Sequence, residues 1–237
     1  MINDEFADLL LTTFNDPGKN PVHLLFNQWW QHAPESVKQA YVDRFLNDPA
    51  LASFVSERHY GDPVDLAEMK ALPAGSLGQT YHDWIVDNGL TAAIATNYRQ
   101  FHDSLEASGS LDGMPEALRF AVLRGFQTHD FMHVLTGYDS SGTGEIALQA
   151  FCLAQLQFPY FGMWMSVIAT RMTFCEPRMI VPMMDAISDG WRRGRATPNL
   201  MIHKWEAMLA EDLDEVRARF GVTPSPEPVP VALPIAS

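Results

Sequence analysis

The stretch "THDFMHVLTGYDSSGTGEIAL" (128–148) gathers two imidazoles and two carboxyl groups around a glycine-bounded loop. His129, Asp130, His133 and Glu145 are residue types that bind divalent cations, and their spacing decides whether they can do so together. In "MPEALRFAVLRGFQTHDFMHVLTG" the apolar positions Leu118, Val122, Gly125 and Phe126 recur at helical intervals, and the same stripe runs on to His129 and His133. Both rings should therefore point inward, with Asp130 three residues before His133 in the same patch. Gly137 has the character of a helix stop. After Gly137 to Gly144 a second apolar helix opens at Glu145. Packed as an antiparallel hairpin, the two helices would set Glu145 opposite His133 and, about 6 Å further back, His129.

An unpaired buried carboxylate costs several kcal/mol, roughly, and two of them repel. A divalent ion removes both penalties. Nitrogen and carboxylate donors suit zinc, iron, cobalt or manganese, and magnesium also accepts carboxylates. A satisfied core histidine is the bland alternative for either ring alone. "HD" also occurs in metal phosphohydrolases, but their further upstream histidine and distant aspartate have no counterpart here. "DSSGTGE" alternates oxygen donors as a calcium loop does, yet lacks its further acidic ligands and full length.

The elements that must position these groups read as helices throughout; runs of alternating β-branched residues are lacking. "HLLFNQWWQH" and "ESVKQAYVDRFL" carry helical stripes. "GSLGQTYHDWIVDNGL" offers Ser76 as a cap, Tyr81, Trp84 and Ile85 on one face, and Gly89 as a stop. "TAAIATNYRQFHDSLEAS" continues in helical character, and "ASGSLDGMP" (107–115) is a loop. The metal-ligand helix opens at Pro115. Further helices are expected over 144–157, about 159–172, 178–193 and 198–220.

The expectation is an all-α, single helical domain with a helix–loop–helix metal site. Residues 1–65 form an N-terminal helical segment packed on the core, 66–221 the helical domain, and 222–237 a proline-rich tail, either disordered or laid on a surface. That tail, "VTPSPEPVPVALPIAS", holds five prolines in 16 residues.

Composition limits the partners. The chain of 237 residues is 47% hydrophobic, enough for one full core. Its 16 basic and 29 acidic residues give a net charge of −13, which disfavours nucleic acid and general adhesion to anionic membranes. Arg192, Arg193 and Arg195 form a local basic cluster. It either favours a helix C-terminus or contacts a lipid phosphate or anionic ring substituent. Cys152 and Cys175 are the only cysteines and make no CxxC pattern, which suits a reducing compartment. "MINDEFADLL" lacks a basic leader region, and "FPYFGMWMSVIAT" (158–170) is too short to span a bilayer. A soluble, intracellular protein is expected.

The spacing HDxxH, eleven residues, then Glu resembles the signature of the coenzyme Q biosynthesis protein 4 family. "LPAGSLGQTY" (72–81), "HVLTG", "GEIAL" and "GWRRGRATPNLMIHKWEAMLAEDLDEVRARFGV" (190–222) are similar to the family's other motifs. The likeness covers about residues 70 to 222. Gln149 stands where the family usually has lysine, "LQFPYFGMW" is bulkier than usual, and 102–115 reads as an insertion, which fits a divergent bacterial member. The resemblance implies an all-α fold, often a homodimer, with a divalent metal on His129, Asp130, His133 and Glu145. Zinc is the first expectation, with iron, manganese or magnesium as alternatives.

It further implies a site for a polyprenylated aromatic lipid, other ubiquinone biosynthesis enzymes as partners, and peripheral contact with the cytoplasmic face of the inner membrane. Two activities follow as expectations. One is metal-dependent removal of the ring's C1 carboxylate with hydroxylation, in which Asp130 is catalytic or orients an imidazole. The other is a non-catalytic prenyl-lipid scaffold with a structural metal. A metal-dependent hydrolase is a third. Phe151, Phe158, Phe161, Trp164, Met165 and Met172 could line a slot for the tail, although each also suits a core position.

Overall fold

Side-chain caps set where several helices begin. Asp48, Asp65, Ser76, Ser141 and Asp212 each accept hydrogen bonds from backbone N–H groups of the turn that follows. The computed structural model describes residues 4–62, 64–91, 98–109 and 111–226, and the fold is all-α. In chain order the helices are α1 (Asp4–Asn15), α2 (Val22–His32), α3 (Glu35–Asn47), α4 (Pro49–Glu57), α5 (Leu66–Lys70) and α6 (Leu77–Asp87). There follow α7 (Tyr98–Ala107), α8 (Glu116–Thr136), α9 (Gly142–Leu156), α10 (Pro159–Cys175), α11 (Ile180–Ala196) and α12 (Leu213–Arg219). Among the described residues the only β-type pairing is an isolated bridge between Ser76 and Asp212. The expected helical character over 92–97 and the tail beyond 226 lie outside the described residues.

The long helix α8 runs through the core, with Leu118, Phe120, Phe131, Met132 and Leu135 buried along it. Phe26, Trp30, Phe45 and Leu51 from the N-terminal helices join the same core. A smaller cluster of Phe6, Val22, Leu25 and Val167 seals α1 and α2 against α10. No helix among the described residues is long and apolar enough to cross a membrane.

Three expectations are corrected here. The helix α9 begins at Gly142 rather than Glu145, because Ser141 Oγ accepts the Gly144 N–H at 3.1 Å and starts the first turn earlier. Residues 198–220 are not one helix. They form two short 3-10 turns, Leu200–Ile202 and Trp205–Met208, followed by α12. Trp205 Nε1 donates to the Leu200 carbonyl at 3.1 Å, and Asp212 Oδ1 accepts from Asp214 N and Glu215 N, so local hydrogen bonds replace the helical ladder.

The antiparallel hairpin of α8 and α9 is instead a corner. The extended neighbour of α9 is α11. Glycine lets those two backbones meet: a Cβ on Gly190 would lie 2.0 Å from the Ala147 carbonyl oxygen, and one on Gly194 2.5 Å from that of Phe151. Gly190→Ala is therefore expected to force the helices apart and destabilise the fold by about 3 kcal/mol, the upper end for overpacking. Urea denaturation measures it, and a variant within about 0.5 kcal/mol of the parent would contradict so tight an approach.

Residues 222–226 run without regular secondary structure beside the corner. Ser225 N donates to the Thr136 carbonyl at 2.6 Å and Arg193 Nη1 to the Thr223 carbonyl at 2.7 Å. Gly137 ends α8 with φ +76°, a conformation few side chains tolerate, and a Cβ there would also meet Ser225 N at 3.0 Å.

Candidate metal centre

The last turns of α8 carry His129 and His133 four residues apart, so their rings lie side by side, 4.8 Å between centroids. The His133 side chain is fully buried, and Trp84 from α6 stacks on it at 4.8 Å and 21°. Its Nδ1 lies 2.9 Å from the Tyr138 carbonyl oxygen. A carbonyl only accepts, so Nδ1 carries a proton, and the lone pair of the neutral form lies on Nε2. His129 is fixed in the same sense. Its Nδ1 lies 2.9 Å from Asp130 Oδ1, which leaves Nε2 facing outward.

Both Nε2 atoms face Glu145, in the first turn of α9. His129 Nε2 is 3.4 Å from Glu145 Oε2, and His133 Nε2 is 3.2 Å from Oε1. His133 Nε2 is buried and, despite that short distance, has no aligned hydrogen-bond partner. With both rings neutral, two imidazole lone pairs and a carboxylate aimed at one point repel one another unless a proton or a metal ion lies between them.

Burial disfavours the charged form of His129, but its hydrogen bonds to Asp130 and Glu145 outweigh that and raise its pKa to about 10. Burial likewise disfavours the Glu145 carboxylate, yet the His129 and His133 imidazoles beside it bring its pKa down to about 2. The site thus draws in positive charge. Metal bonds of about 2.0–2.1 Å in tetrahedral geometry put donor atoms about 3.3 Å apart, close to the two separations seen. The donor atoms of all three residues lie within 4.8 Å of one another, so His129, His133 and Glu145 could hold one divalent ion.

Asp130 is not part of that converging set. It stands behind His129 as the acceptor that fixes the ring, the arrangement by which carboxylates commonly orient metal-binding imidazoles. If a metal is bound there, Asp130→Ala is expected to weaken it about 10–100-fold, read by competition with a chromophoric chelator. An unchanged affinity would deny Asp130 the orienting role.

Nor does the structure bring the arginines to this point. Arg192 and Arg193 pair with Asp189 at 2.5 and 2.7 Å, and Arg195 is exposed. Asp189 in turn accepts the Tyr138 hydroxyl at 2.8 Å, so the two arginines brace the residue whose carbonyl holds His133. Trp84 and Tyr138 are the positioning residues that the spacing of the chain did not reveal. Trp84 sat on a recognised helical stripe, but nothing in that stripe indicates a stacking partner. Tyr138 acts through its main chain, which leaves no trace in residue type.

Beyond His129 and Glu145 opens a cavity of about 260 Å³. Its walls are apolar for the most part: Val122 and Phe126 from α8, Leu156, Phe158, and Phe161 and Trp164 from α10. Of the six residues considered for a lipid slot, Phe158, Phe161 and Trp164 line it. Phe151 is buried in the core instead.

An all-helical domain in which a cluster of two histidines and a glutamate meets an apolar cavity through His129 and Glu145 defines the class of protein. Comparison with known proteins narrows the class. Residues 43–226 match the model of the family described as "Coenzyme Q (ubiquinone) biosynthesis protein Coq4", and the chain belongs to that family. A mitochondrial ubiquinone biosynthesis protein coq4 of Aspergillus flavus is 28% identical over 189 residues, 78% of this chain and 60% of the relative. That of Zygosaccharomyces rouxii is 25% identical over 225 residues, 93% of this chain and 62% of the relative. The matches thus span about three fifths of the length of these relatives. A crystal structure from Nostoc punctiforme, of a protein assigned provisionally to ubiquinone biosynthesis, superposes with a TM-score of 0.72 at 26% identity. It covers 92% of this chain and 95% of the other.

Proposed function

We propose that this protein acts in ubiquinone biosynthesis as a metal-dependent catalyst that replaces the C1 carboxylate of a polyprenylated hydroxybenzoate with hydroxyl. The observation that supports it is that the His129–His133–Glu145 cluster meets an apolar cavity through His129 and Glu145. Three protein donors with one side facing a ligand space are the pattern of a catalytic metal site; a structural site closes with four. Family membership supports the pathway.

His129 and His133 would supply neutral nitrogen and Glu145 oxygen to a divalent ion, with zinc, iron, manganese or magnesium as candidates. Such an ion, when bound, supplies Lewis acidity toward the ring carboxylate. Asp130 holds the His129 ring, and Tyr138 and Trp84 hold that of His133. Phe158, Phe161 and Trp164 exclude water and take the ring and the start of the tail. Tyr160 lines the cavity with its phenol pushed up in pKa by burial and by the Glu145 charge, so it stays protonated and can donate a hydrogen bond to a ligand oxygen. In net terms the carboxylic acid, water and dioxygen give the phenol, carbon dioxide and hydrogen peroxide. The C1–carboxyl bond breaks, a C1–oxygen bond forms, and dioxygen takes up the two electrons.

The test supplies a prenylated 4-hydroxybenzoate derivative, under air, to the protein purified with its native metal. The hydroxylated ring should accumulate with the parent protein and not with His133→Ala. Tight lipid binding without turnover would instead make it a scaffold that holds prenyl lipid and the other enzymes of the pathway. Phosphate release from nucleotides would make it a hydrolase.

A further inference from the structure

Resting on the reading of the cavity as a ligand site, we propose that Gln149 selects the ligand by accepting a hydrogen bond from a free phenolic hydroxyl on its ring. Gln149 lies on α9 four residues beyond Glu145, about 6 Å along the same face. It lines the cavity and is 4% exposed. Its amide oxygen is fully buried and has no hydrogen-bond partner.

Packing does not account for that residue. The surrounding walls are Ala121, Val122, Leu156, Phe158 and Phe161, against which leucine or methionine would sit without stranding a polar atom. A buried acceptor left without a donor is disfavoured, and natural proteins retain such groups where a ligand completes them. The other polar side chains on the cavity wall are His129, Glu145, Tyr160 and Trp164. His129 Nδ1 is already engaged by Asp130, Glu145 brings only acceptor atoms, and neither the Tyr160 hydroxyl nor the Trp164 indole N–H is bonded to the Gln149 oxygen. The missing donor therefore comes from the ligand. A hydroxyl one ring-width from a carboxylate fits the spacing, since one helical turn separates Glu145 from Gln149.

The experiment compares two probes in the metal-loaded protein without oxygen, so that no turnover intervenes: a 3-prenyl-4-hydroxybenzoate and its 4-methyl ether. Binding is read from tryptophan fluorescence, since Trp164 lines the cavity. The parent protein should bind the free phenol about tenfold or more tighter than the ether. Gln149→Leu and Gln149→Met should bind the two alike, and the ligand-free variants should melt about 2–4 °C higher because the stranded oxygen is gone. Equal affinity of the parent for both probes overturns the proposal without touching the cavity's role, as does undiminished discrimination in the variants. If the parent binds neither probe, the reading of the cavity fails and the role of Gln149 falls with it. The two-probe comparison on the parent alone decides the matter should the variants not fold.

Discussion

Exchanging Glu206 for alanine is expected to lower the free energy of unfolding by about 3–5 kcal/mol, the largest loss we anticipate from a single surface-facing residue. Arg124 in the middle of α8 is 1% exposed, and Glu206 receives its guanidinium through bonds of 2.5 and 2.8 Å. The His203 carbonyl accepts a third bond at 3.0 Å. Without the carboxylate a buried cation stands uncompensated. Glu206→Gln, which keeps hydrogen-bond acceptance and loses charge, should fall between. Chemical denaturation with a circular-dichroism readout measures both; a loss below about 1 kcal/mol for the alanine variant would mean that water reaches Arg124 once the acid is removed.

The second large effect is expected in metal content. Glu145→Ala should leave the purified protein without stoichiometric cation, and ring turnover should drop by more than the roughly 10–100-fold that loss of an orienting neighbour costs. Glu145 is the only anionic donor of the three and faces both imidazoles. Its side chain is 26% exposed, so the fold should stand without it. Elemental analysis beside circular dichroism separates the two effects. A fully loaded Glu145→Ala protein would remove the basis for a metal at this corner.

Much of this arrangement can be seen in residue order. The stripe from Leu118 through Phe126 to His133 follows from helical period, and Gly137 closes α8 where a left-handed residue is needed. Ser76 caps α6 as its type suggests. What could not be seen depends on side chains acting at short range. Ser141 reaches forward to start α9 early, and Asp212 with Trp205 breaks the C-terminal helix in ways that hydrophobic spacing does not register. The close pairing of α9 with α11 rests on two glycines in "GWRRG", which in sequence look as much like helix weakening as contact. At the site, the four-residue motif divides into three converging donors and one supporting acid only once the rings are oriented.

The donors themselves sit close together along the chain. Two share consecutive turns of one rod, and the third arrives after a short bend. A cation clipped among them would fasten segments that sequence has already made neighbours, and so would add little constraint to the unfolded chain. Chelation of an ion held there should accordingly leave the domain standing. A centre placed this way is an instrument mounted on a finished frame rather than a rivet holding the frame together.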